Sequence, residues 1–301
     1  MRRILSIILL LVTITLFSYD GKPINPVIKI GIESSDDTSD SIELRDYLRS
    51  QVSKTNRGEV AFSLKGVSFS EFSFDRDGNP DSFTRQELKK FGQIDKLTLV
   101  SSKKGYTFIS LIDVNSGKLE YKNGLPDRLT KTLVDDFVQT LDRKNIQLAL
   151  QMPRSTETAT VQLHSIQSNY RIGEPIRFEL ESNEDRFVYV VVLPENGQDE
   201  PVLLFPNSLQ KNHYLKKGDR VTIPDIRIAF KSSQSKKETV RVFTPKEEWK
   251  DIRLGQGRDN LYKIMPQAIT GTKSSDIGPL SLARSIFDSP KSDFEFLIST
   301  N

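Results

Sequence analysis

The sequence predicts an α+β protein: an N-terminal mixed sheet with packed helices, followed by a C-terminal β-sandwich. Three observations lead there. Residues 27–147 interleave helix-period and strand-period patterns. Residues 158–301 carry about seven short period-two runs separated by turn residues, the pattern of a sandwich. Between them "QMPRSTET" is polar, and the linker is placed at 148–157. A chain of 301 residues can hold two cores, at roughly 100–200 residues per domain.

The head of the chain stands apart from both halves. Arg2 and Arg3 precede an apolar run from Ile4 to Phe17, the pattern of a secretory signal peptide, assigned to residues 1–18. At about 1.5 Å per residue that run covers about 21 Å, short of a bilayer core of about 30 Å. An uncleaved amphiphilic anchor is the alternative, since Leu16 is a poor small residue for a cleavage site. No second long apolar run follows, so no transmembrane span is expected once the signal is removed. The chain has no cysteine, which removes disulfides, thiol nucleophiles, thiolate metal sites and lipid attachment through a thioether. The formal charge is +3, and loss of Arg2 and Arg3 leaves 41 basic against 40 acidic residues. That balance argues against nucleic acid as a partner.

In the first half, "PVIKIGI" reads as a buried strand over Val27–Ile32. Asp40 is placed as a helix N-cap with Glu43 three residues on, and Leu44, Tyr47, Leu48 and Val52 fall on one helix face. "EVAFSLKGVSFSEFSF" reads as strand-rich, with a phase slip at Ser70–Glu71 that suggests a bulge. "TRQELKKFGQIDKLTLV" gives a short helix and then a strand, and "YTFISLIDVNSGKLEY" gives two strands about a turn in which Gly117 takes positive φ. A closing helix follows Pro126, with Leu129, Leu133, Phe137 and Leu141 four apart. The order is β-α-β-α-β-β-β-α, with helices packed on a mostly antiparallel sheet. Phe91-Gly92, Asp95, Asp113-Val114 and Ser116-Gly117 resemble motifs of the periplasmic TolB N-terminal and CsgG-like α/β domains, although Ser101 stands where those carry glycine. The resemblance implies an envelope domain that docks with other proteins.

"SFDRDGNPDSFT" invites a calcium reading, with Asp75, Asp77, Gly78, Asn79 and Asp81 at EF-hand spacing from Ser73. Position 1 is Ser73 where Asp belongs, position 12 is Thr84 where Glu belongs, and Pro80 takes an apolar position. A solvated turn is therefore the reading, and no metal site is assigned.

In the second half the strands are "TATVQLHSI", "EPIRFEL", "RFVYVVVL", "PVLLFP", "DRVTIPD", "TVRVFT" and "SDFEFLIST". Val188, Val190 and Val192 are expected on one face of a central strand, with Tyr189 and Val191 on the other. Phe294, Phe296 and Ile298 are expected to share a face of a woven C-terminal strand. Residues 251–290 are the least legible, with "NLYKIM" and "PLSLARSIF" read as short helices. Phe187–Val190, Gly197, Leu203–Asn207 and Ile223-Pro224 closely resemble the hallmark of domain of unknown function 4384. That family has no established activity, and the resemblance implies an accessory recognition role.

No HExxH, G-x-S-x-G, Walker or dinucleotide pattern surrounds His164, His213 or any glycine cluster, so neither a catalytic residue nor a cofactor is assigned. The candidate binding loop follows the "LLFPN" corner: Phe205, Asn207, Lys211, His213, Tyr214, Lys216 and Lys217. Its structural alternative is a corner in which Phe205 fills the rim and Asn207 bonds its own turn. Trp249, the only tryptophan, is read as a core residue. The function expected is that of an exported, non-enzymatic envelope protein recognising a protein or glycan. The alternative is an envelope hydrolase using Asp/Glu chemistry.

Overall fold

The computed structural model describes residues 28–299, apart from 56, 62–63, 65–66, 153–156, 168, 194–200, 226, 228–229, 231–235, 250–251, 257–261 and 267–277. The expected signal segment and the "PENGQDE" turn lie outside the described residues.

The N-terminal half runs β1 (Lys29–Ser34), α1 (Ser39–Lys54), β2 (Glu59–Ala61), α2 (Ser82–Leu88), β3 (Lys96–Lys103), β4 (Tyr106–Asp113), β5 (Leu119–Pro126) and α3 (Thr130–Gln151). The order of elements matches the one expected. The sheet order is β2-β1-β3-β4-β5. β1 is parallel to β2 and β3, while β3-β4-β5 is antiparallel, so the sheet is evenly mixed rather than mostly antiparallel. Ile28, Ile30, Ile32, Val100, Ile109 and Leu111 bury one face beneath α1 and α3. Leu97, Leu99 and Ile112 bury the other beneath Phe69, Leu88 and Phe91.

Several local expectations shift. The N-cap of α1 is Thr38, whose hydroxyl accepts from the Ser41 amide, and Asp40 sits in the first turn, where its charge suits the helix dipole. Ser41, Leu44, Leu48 and Val52 form the buried stripe, and Tyr47 is exposed. The stretch from Val67 to Phe74 is not a strand. Phe69–Glu71 forms a 3₁₀ turn at the expected phase slip, and Phe69 packs on Phe72 and Phe91 at 5.5 and 5.9 Å. Side-chain burial there is met by aromatic clustering, so the alternation needs no sheet ladder. Pro126 ends β5, and Leu129 precedes α3 and is exposed. Gly117 takes φ 74° as expected.

The C-terminal half holds β6 (Val161–Ser165), β7 (Asn169–Arg171), β8 (Phe178–Ser182), β9 (Arg186–Phe187), β10 (Tyr189–Leu193), β11 (Val202–Phe205), β12 (Tyr214–Leu215), β13 (Arg220–Ile223), β14 (Lys236–Phe243), β15 (Ile252–Gln256), β16 (Tyr262–Pro266), α4 (Gly278–Asp288) and β17 (Lys291–Ser299). A seven-stranded sheet, β15-β16-β11-β10-β14-β17-β7, faces a three-stranded sheet, β13-β8-β6. Val188, Val190 and Val192 meet Phe178, Leu180 and Ile223 in the core between them. The opposite face carries Tyr189, Val191, Leu193 and Phe243, and it is covered by α4 and the end of α3. The sandwich therefore has a third, helical layer. "NLYKIM" contributes strand β16 rather than a helix, because its residues extend the ladder beside β15 and β11. "PLSLARSIF" is helical as expected. Phe294, Phe296 and Ile298 share the inner core, with β17 woven between β14 and β7. Helix α3 continues through Gln151, into residues read from sequence as linker.

Candidate binding loop

The loop begins at a bulge. Val190 pairs with Phe205 and Val191 with Leu203, so Leu204 is an extra residue in β11. The bulge turns both Leu204 and Phe205 into the inner core, while Leu203 faces the helices. The Phe205–Pro206 and Ile223–Pro224 peptides are cis.

Asn207 is fully buried. Its Nδ2 donates to the Leu204 carbonyl and to Gln210 Oε1, each at 2.8 Å. Its Oδ1 accepts from the Leu209 and Gln210 amides at 3.0 and 2.9 Å. All the polar capacity of this side chain is used within the corner. Gln210 Nε2 then donates to the Thr222 carbonyl at 2.8 Å, tying the corner to β13.

His213 pins the middle of the loop. Its Nδ1 lies 3.1 Å from the Lys211 carbonyl, and its Nε2 lies 3.0 Å from Tyr189 Oη. A carbonyl can only accept, so Nδ1 carries the proton there; in the neutral ring Nε2 then accepts from the tyrosine hydroxyl. Burial pushes the Tyr189 phenol above its ordinary pKa; the Trp249 amide, which donates to Oη at 3.1 Å, opposes the rise and the Glu248 charge adds to it. Tyr189 stacks on Trp249 with centroids 3.9 Å apart, and the indole Nε1 donates to Ser289 Oγ at 3.0 Å. Trp249 is thus a core residue, as expected. Glu248 Oε1 lies 3.5 Å from His213 Nε2.

Past His213, β12 pairs with β9, Leu215 is buried, and Tyr214 packs edge-on against Phe187 at 4.9 Å. The Lys216 amide donates to Asp219 Oδ2 at 2.8 Å, and the Lys217 amide to Asp185 Oδ1 at 2.9 Å. Of the seven residues singled out from sequence, Lys211, Tyr214, Lys216 and Lys217 form the outer surface. Phe205 and Asn207 lie inside and hold the corner, and half-buried His213 locks the loop to β10. Sequence reasoning missed Tyr189 and Glu248 as its partners. The available signal was a phenol within "VYVVV", since a buried hydroxyl needs a partner.

The "DRDGNPD" segment is a closed turn. Asp75 accepts from the Asp77 and Asn79 amides at 2.9 and 2.8 Å and from Asn79 Nδ2 at 3.0 Å. Thr84 Oγ1 accepts from the Ser73 amide at 2.9 Å, joining the two ends. Gly78 has φ 79°, and a Cβ there would meet the Leu119 carbonyl at 2.8 Å. Asp81 caps α2 by accepting from the Thr84 amide at 2.7 Å. The buried carboxylates Glu33 and Asp142 each pair with an arginine, Arg49 at 2.7 Å and Arg57 at 2.8 Å. His164 is exposed on β6.

Residues 169–247 match the family described as Domain of unknown function (DUF4384). The matched segment runs from β7 through β14 and contains the whole loop. The resemblance of the N-terminal half to TolB N-terminal and CsgG-like domains is not confirmed. No curated protein and no solved structure matches the chain. Among the described residues, no helix is long and apolar enough to cross a membrane.

Proposed function

We propose that this is an exported, non-enzymatic cell-envelope protein whose C-terminal half acts as a recognition module for an anionic envelope protein or glycan. The observation that carries the reading is the loop: Lys211, Tyr214, Lys216 and Lys217 are presented to solvent on a base fixed by Asn207, His213 and Leu215. Rigid scaffolds with exposed, charged loops are common places for recognition. The fixed base lowers the ordering cost of binding. Export rests on Arg2, Arg3 and the apolar run after them.

The test combines Lys216→Ala with Lys217→Ala and compares retention on an immobilised, purified cell-envelope fraction. Both side chains are solvated, so stability is expected to change by no more than about 0.5 kcal/mol. The double variant is expected to stay folded and to elute at lower salt than the unaltered protein. Equal retention of the two proteins would remove the loop from the binding surface.

A further inference from the structure

One 22-residue helix, α3, serves both cores. Leu133, Val134, Phe137 and Leu141 pack on the N-terminal sheet. Further along the same helix, Ile146, Ala149 and Leu150 are buried against Tyr189, Val191, Leu203 and Phe243 of the seven-stranded sheet, beside Leu282, Ala283 and Ile286 of α4. Asn145 sits between the two sets and is itself buried; its Oδ1 accepts from the Ile28 amide at 3.1 Å, and its Nδ2 donates to the Arg57 carbonyl at 2.7 Å.

The end of α3 is met by a buried cation. The last carbonyls of a helix lack intrahelical partners and carry partial negative charge. Arg241 on β14 donates through Nη1 to the Leu150 and Met152 carbonyls, at 2.7 and 2.8 Å. Its Nε and Nη2 grip Asp293 of β17 at 2.5 and 2.7 Å. Arg241 is 4% exposed, so losing its partners would strand a desolvated charge. Two residues further along the same ladder, Lys291 opposite Phe243 donates to the Phe287 carbonyl near the end of α4 at 3.0 Å. The β14–β17 pair thus offers one cation to the end of each helix.

The segment that matches the family ends at residue 247 and includes neither helix. Its strand β10 is apolar on both faces, and the second face packs on α3, α4 and Trp249, all from outside that segment, with His213 of the loop against Tyr189.

We propose that the helix-facing side of the seven-stranded sheet is a helix-receiving surface, occupied by residues 144–152 of this chain, and that Arg241, held by Asp293, clasps the two halves into one cooperative folding unit. This rests on packing and charge, not on the binding role proposed for the loop.

The test uses the full chain. Urea unfolding is followed by Trp249 fluorescence, which reports the C-terminal half, and by amide exchange in β3 and β10. In the unaltered protein the two strands are expected to open together, in step with Trp249. Arg241→Met keeps the aliphatic stem and removes the donors. It is expected to raise exchange in β10 at least tenfold relative to β3 and to move the Trp249 transition to lower urea. Asp293→Asn and Leu150→Ala are milder, and they carry the same comparison if Arg241→Met does not fold. Strands that already open separately in the unaltered protein would overturn the proposal. So would variants that leave all probes coincident.

Discussion

Phe205 and Asn207 are two residues apart, and both are interior for different physical reasons. Phe205 is there to exclude water, and the bulge at Leu204 decides which core it enters. Phe205→Ala is expected to cost about 3–5 kcal/mol, the range for emptying a buried aromatic site, measured as a shift in the urea midpoint. Asn207 is there because its amide closes four hydrogen bonds that a turn of this shape would otherwise leave open. Its residue type was legible as a turn former, but its burial was not, because turn propensity is a local property and burial is set by what packs above it. Lys291 makes a prediction at the same scale. Burial, chiefly, and then the nearby Arg241 charge push its ammonium down to about 8 from an ordinary 10.5. Between those values the unfolded chain holds the proton that the folded chain has released. Stability therefore rises with pH across that window. Urea midpoints measured at pH 8 and pH 10 are expected to rise more for the unaltered protein than for Lys291→Met. An equal change in the two would contradict the shift.

Among the elements, α2 shows how a loop and a helix share residues. Asp81, the last acid of the calcium-like stretch, is the N-cap, and Thr84 three residues on ties the helix back to Ser73. Asp81→Ala is expected to cost about 1 kcal/mol in thermal or urea unfolding, as loss of a capping oxygen does. Loss of no stability at all would mean that the cap is replaced by water. The seven-residue length of α2 makes the cap matter, since short helices depend on their ends and on tertiary packing. Strand β10 was legible from its pattern: with no polar residue except Tyr189 on either face, it had to be central and covered twice. Strand β16 was not legible, because "YKIM" is short enough to fit a helix turn or a strand, and only pairing with β15 and β11 decides between them.

For the whole molecule, the proposed export makes a simple prediction. Fractionation of expressing cells is expected to find the chain outside the cytosol and shortened by its first residues. Intact chain confined to the cytosol would remove the envelope from the proposal. The sequence by itself determined the element order of the first half, the strands β6, β8, β10, β11, β13, β14 and β17 of the second and the segment that matches a family, because alternation and turn chemistry are local signals that survive in one dimension. Ile146 lies beyond the helix stripe read from sequence, and Ala149 and Leu150 fall within the stretch read as linker, so none of the three was expected to pack. Only the tertiary structure decided what those residues face. Periodicity says which side of a helix is buried and is silent about the partner, so a stripe that serves two cores reads the same as a stripe that serves one. The same holds for Arg241, which sequence shows as a charge in a strand. The fold makes it the cap of a helix that begins in the other half of the chain, because only there do unpaired carbonyls and Asp293 come within reach of one guanidinium.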